Sequence, residues 1–114
     1  MRSYSVGRNL TANTKTTLFT VPTKQVANLN LLFASNSTAS TKHFSAWWYD
    51  KSAATEVVIV ASYDVSAKSF LKFDNAYITL EDGDEIRVQS ETGSTVSVII
   101  TVEVDNAPAV SYTY

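Results

Sequence analysis

Apolar and polar residues alternate with period two along most of this chain, the mark of strands with one face on a core and one toward water. The final segment is the plainest: Val96, Val98, Ile100, Val102 and Val104 fall on one side, Ser97, Thr101 and Glu103 on the other, joined by Ile99. Residues 85–89 alternate as well, with Ile86 and Val88 inward and Arg87 outward. Within residues 26–35, Leu29, Leu31 and Phe33 share one side and Asn28 and Asn30 the other. Leu32 and Ala34 then join the polar side, so one end of this long strand is expected to be apolar on both faces. Residues 56–62 are two-faced throughout, with Val58 and Val60 opposing Val57 and Ile59.

Shorter strands are expected around these. Residues 3–6 form a first strand ended by a kink at Gly7, and residues 17–21 a second. Pro22, with no N–H to give a ladder, marks the corner before the long strand. Residues 69–73 form a strand carrying Phe70, broken at Asp74 and Asn75, and residues 77–80 form another. Small-polar or Gly-containing runs at 36–41, 50–55, 63–67, 81–84 and 91–94 read as turns. No helical period and no fixed repeat is present. The expectation is an all-β fold: a single antiparallel β-sandwich, jelly-roll or Ig-like, of eight to nine short strands. Residues 1–10 are an N-terminal arm or first strand, 11–105 the core, and 106–114 a C-terminal tail.

One segment conflicts with a two-layer body. In residues 42–50, Phe44, Ala46 and Trp48 lie on one face, and His43, Ser45, Trp47 and Tyr49 on the other. A sandwich offers each strand one core face, so adjacent Trp47 and Trp48 cannot both enter it. The outer aromatics need other cover: a loop, a neighbouring copy, or a ligand such as a sugar.

Composition narrows the chemistry. At 114 residues the chain can bury roughly two-thirds of its unfolded surface as one domain, so no staple is required. It has no Cys and one His, which excludes thiolate sites and two-His zinc chemistry. No G-x-S-x-G elbow supports a triad around His43, so no catalytic residue, cofactor or metal is expected. The acids around Gly83 (Glu81, Asp82, Asp84, Glu85) lack the spacing of a calcium loop and read as a solvated turn. Asn9-Leu10-Thr11 and Asn36-Ser37-Thr38 fit a glycosylation sequon but read as turn chemistry. No apolar run is long enough to span a bilayer as a helix, and no secretory leader is evident, so no membrane association is expected.

Net charge is −2, unevenly spread. Residues 1–49 hold Arg2, Arg8, Lys15, Lys24 and Lys42 and no acid; the rest holds all 11 acids. The bases are scattered at turns rather than set beside aromatic platforms, which argues against a nucleic-acid partner. Either strands of the two halves pair and mix their charges, or opposite surfaces meet on neighbouring copies.

Four stretches together resemble a group of small tailed-bacteriophage virion proteins: TLFTVP over residues 17–22, LLFASN over 31–36, LEDGDEIRV over 80–88, and the Val-rich strand over 96–104. The resemblance covers about residues 11–105 and implies a non-enzymatic β-sandwich component of a virion, made in the host cytoplasm. It offers no catalytic residues, and Gly83-Asp84 would serve the turn entering a strand. The chain departs from that group at Trp47, Trp48 and Tyr49 and in its Tyr-ended tail.

The function expected is a capsid decoration or cement protein, acting as a homo-oligomer (a trimer) against other virion proteins such as the major capsid protein. The alternatives are a tail, collar or fibre-attachment component, and a carbohydrate-binding module that contacts a host glycan through Trp47 and Tyr49. Leu32, Trp47, Tyr49, Val57, Ile59, Tyr112 and Tyr114 are the expected interface residues.

Overall fold

Eight strands account for the alternating segments in a computed structural model, which describes residues 2–11, 13–91 and 96–106, the side chains of 75–77 aside. They are β1 (Arg2–Asn9), β2 (Thr16–Thr20), β3 (Gln25–Asn36), β4 (Lys42–Asp50), β5 (Thr55–Val65), β6 (Ser69–Leu80), β7 (Glu85–Ser90) and β8 (Val96–Asn106). Two four-stranded sheets form, ordered β1-β8-β3-β6 (sheet A) and β2-β7-β4-β5 (sheet B), and every pairing is antiparallel. Apart from the β4–β5 hairpin, each strand is followed by one in the other sheet. That order is the jelly roll, two interlocked Greek keys, and not the Ig arrangement. The N-terminal segment is its first strand, paired along its whole length to β8.

The inner faces are packed with branched aliphatics. Val96, Val98, Ile100 and Val102 of β8 are fully buried, with Ile86 and Val88 of β7 opposite them and Phe44 and Ala46 of β4 alongside. Aromatic pairs close the two open sides of the sandwich. Tyr4 of β1 meets Phe19 of β2 edge-on (centroids 6.2 Å, planes 69° apart), and Tyr63 of β5 meets Phe73 of β6 in the same way (6.3 Å, 77°). Each pair spans the gap between an edge strand of one sheet and an edge strand of the other.

Strand β3 departs from strict alternation. Leu29 pairs with Val102 and Leu31 with Thr101, so Asn30 is an extra residue against β8. A bulge advances the side-chain phase by one. Ala27 and Leu29 point inward before it, and Leu32, Ala34 and Asn36 after it. The expectation that Leu29, Leu31 and Phe33 share a face is therefore overturned at Asn30. Leu32, expected at an interface, is core (1% exposed), and Leu31 and Phe33 face outward. The same locality explains β6. Between Ile78 and Asp74 three of its residues stand opposite one of β3, so the expected break at Asp74 and Asn75 is an irregularity within one continuous strand. Phe70, which this strand was expected to carry, lies outward, and Leu71 takes the core position.

Each end of the sandwich is tied by one buried polar residue. At the end carrying the β3–β4 and β5–β6 loops, the Asn36 Nδ2 group donates to the carbonyls of Ser40 (2.8 Å), Val65 (2.9 Å) and Ser66 (3.3 Å). Its Oδ1 accepts from the N–H (3.0 Å) and hydroxyl (2.6 Å) of Thr38. With that amide engaged and buried, the Asn36 sequon is turn chemistry. Asn36→Ala is expected to cost about 2–4 kcal/mol, because it strands buried carbonyls in two loops at once. The shift of the urea unfolding midpoint at unchanged m-value checks this.

Candidate functional site

Alternation splits the adjacent tryptophans, and a buried carboxylate decides how Trp48 sits. Trp48 turns inward and its indole Nε1–H donates to Asp84 Oδ2 at 3.1 Å. Asp84 is 2% exposed and also accepts from the backbone N–H groups of Lys51 and Glu81, each at 3.0 Å. Its own carbonyl accepts from Val21 N–H at 2.9 Å, so one residue joins the β2–β3, β4–β5 and β6–β7 loops. Gly83 beside it has φ 80°, where any side chain would be strained, and a Cβ there would also displace the end of the Lys51 side chain. The acidic run is thus engaged locally: Asp82 accepts from Lys24 N–H (3.2 Å), and Glu85 from the Thr17 hydroxyl (3.0 Å) and Arg87 Nε (2.9 Å). Among the described residues, no three His, Asp or Glu groups are gathered as metal ligands.

Trp47 and Tyr49 face outward on sheet B, and cations of the same chain cover them. Lys15 Nζ stands 4.0 Å from the Trp47 ring centroid, and the Arg87 guanidinium 4.0 Å from that of Tyr49. Glu56 ties the two cations together, accepting from Lys15 at 2.8 Å and from Arg87 at 3.1 Å. The cover that the aromatics require therefore comes from charges of both halves of the chain, alternating in a ladder across the sheet. Val57, 42% exposed, lies at the edge strand β5. Ile59 is the extra residue of a bulge in β5 and packs half-buried against the core. Tyr112 and Tyr114 lie outside the described residues.

A second apolar surface lies on the outer face of sheet A. Gly7 pairs with Ile99, and Ile99 with Phe33, which places three strands in one row. Phe33 stacks on Phe70 of the fourth strand (5.1 Å, planes 20° apart). Phe70 is 58% exposed and Ile99 41%. Leu31 adds to the row one pair further along β3. Sequence reasoning missed this row because it exists only with the phase change at Asn30. The visible signals were Ile99, on the polar face of β8, and Phe70, alternating with inward Leu71.

The outer face of sheet B also carries a polar cleft of about 380 Å³, lined by Asn13, His43, Ser45, Trp47, Ser62, Gln89, Ser90 and Glu91. Both ring nitrogens of His43 face carboxylates: Nε2 lies 2.9 Å from Asp64 and Nδ1 3.9 Å from Glu91. Gln89 Nε2 donates to Asn13 Oδ1 (3.0 Å), and the Ser62 N–H to Ser45 Oγ (2.8 Å).

Neither a family model nor a curated protein matches the sequence.

The ladder titrates. Hydrogen bonding to Lys15, and then to Arg87, holds the Glu56 carboxyl below its ordinary value against an opposing effect of desolvation. Arg87 is raised by the hydrogen bond it donates to Glu85, against an opposing effect of desolvation, and by the one it donates to Glu56. A carboxylate with a lowered folded pKa stabilises the fold fully above its unfolded value, about 4.3, and loses that contribution as pH falls through the folded value. Glu56→Gln is therefore expected to lower stability near pH 7 and to flatten the acid limb of the profile, with the two proteins converging once the wild-type carboxyl is protonated. Urea midpoints measured from neutral pH into the acid range check it.

Proposed function

We propose that this protein is a non-enzymatic structural component of a tailed-bacteriophage virion, a capsid decoration or cement protein that acts as a homo-oligomer. It is made in the host cytoplasm and docks on other virion proteins, the major capsid protein first among them. The observation that carries the reading is the outer face of sheet A. Ile99, Phe33, Phe70 and Leu31 form a continuous apolar row flanked by Ser5, Thr101, Lys72 and Asp74. A polar rim around an apolar centre is the composition of a protein–protein contact, and such rows are rarely left open on a soluble monomer.

Three further features support it. The four motif stretches that resemble phage virion proteins lie on β2, on β3, on β7 with the turn entering it, and on β8, and so build the body of the sandwich. The jelly roll is a fold that packs side by side in shells, although fold alone does not carry function. Both imidazole nitrogens of His43 face carboxylates, which leaves neither beside a serine nucleophile. The contact within the oligomer is assigned to sheet A rather than to Trp47 and Tyr49, whose rings are under Lys15 and Arg87.

The purified protein is expected to run as a trimer in light scattering. The combined change Phe33→Ser, Phe70→Ser and Ile99→Thr is expected to give monomers with an unchanged circular dichroism spectrum. A monomeric wild-type protein would sink the oligomer reading. Hundreds of copies per particle accord with decoration, whereas a few dozen or fewer would move the protein to the tail or collar.

A further inference from the structure

We infer that the cleft on the outer face of sheet B is a binding site for a neutral pyranose unit of a glycan, separate from the apolar row on sheet A. Its lining carries amide, hydroxyl and indole groups from several segments that are far apart in sequence. Pyranoses combine hydroxyls that both donate and accept with an apolar C–H face, and a cleft that recognises them needs an aromatic wall and bidentate polar groups.

Each requirement has a residue. Trp47 is the wall. Lys15 holds one part of its ring but does not line the cleft, so the indole is braced and still presents a surface there. The amide pair is oriented: with Gln89 Nε2 donating to Asn13 Oδ1, the Asn13 Nδ2 group remains a donor and the Gln89 Oε1 atom an acceptor. Ser45 Oγ accepts the Ser62 N–H and retains its own proton to donate. That last contact rests on an irregularity. The β4–β5 register shifts between Phe44 and Ala46, and Ser62 adopts φ 45°, a left-handed conformation uncommon for serine. Bulges and strained residues of this sort gather where a sheet re-aims groups toward a ligand.

Charge selects among ligands. No Lys or Arg lines the cleft, and Glu91 does, with Asp64 just beyond His43. An anionic sugar, a phosphate or a nucleic-acid strand would meet carboxylates, and the nearby Lys15 is already paired with Glu56. A volume of about 380 Å³ is near the small end of ligand sites, roughly 300–1,000 Å³.

The test is side-chain amide and indole NMR on the full chain, titrated to millimolar concentration with neutral trisaccharides built on glucose, galactose or N-acetylglucosamine, and with sialyllactose as the anionic probe. At least one neutral trisaccharide is expected to shift the Trp47 indole and the Asn13 and Gln89 amides saturably, and sialyllactose to leave them unmoved. Gln89→Ala and Trp47→Ala should each weaken binding about tenfold, with the rest of the spectrum reporting an intact fold. Lys24→Ala, in the β2–β3 turn beside Asp82, should bind as wild type. No response to any neutral probe, an equal response to sialyllactose, or full binding in Gln89→Ala would overturn the assignment.

Discussion

The residue on which most of this architecture turns is Asn30. β3 is an interior strand of sheet A, and its register against both β8 and β6 shifts at the same place. The Asn30 amide donates to the Glu103 carboxylate across the bulge, which gives the extra residue a partner on the outer face. Beyond it the strand is turned over. Leu32 and Ala34 enter the core, where a buried leucine is worth about 1.5–3 kcal/mol relative to exposure, and Leu31 and Phe33 go outside. The interior of that half of the sandwich and the apolar row on its surface are two sides of one event.

Polar chemistry then fixes the ends. Asn36 and Asp84 lie at opposite ends of the sandwich, each buried and each gathering loops that the sheets alone would leave independent. Their partners are mostly backbone groups that would otherwise be orphaned by burial. Between them the interior is held by aliphatic packing, with Tyr4–Phe19 and Tyr63–Phe73 shutting the long sides. A linked set of charges lies on the outer face of sheet B, where Lys15, Glu56, Arg87 and Glu85 run as one chain of contacts over Trp47 and Tyr49.

How much of this was legible follows from how local each feature is. The inward sets of β7 and β8 could be read directly, because an unbroken strand with one buried face writes its pattern in consecutive residues. The Trp47–Trp48 conflict was equally visible, but not its resolution: Lys15 precedes β2, Arg87 is on β7, and Asp84 is in a distant turn. The phase of β3 was misread because a bulge is a property of pairing, and nothing in LNLLF states which residue its neighbours skip. The cleft was out of reach for the same reason, since its side chains converge only once the sheet is assembled. Ser62 carries no sequence mark of its positive φ.

The strand order has a consequence for how the molecule is made. β8 lies between β1 and β3, so the first and third strands, which do not pair with each other, are joined only by the last. Sheet A therefore cannot close while the chain is still emerging from the ribosome short of residue 106. Until then β1 has no partner, and the inward faces of β3 and β7 stay partly uncovered. Such topologies, rich in distant pairings, form slowly. For this chain the unprotected interval ends with the arrival of a single strand.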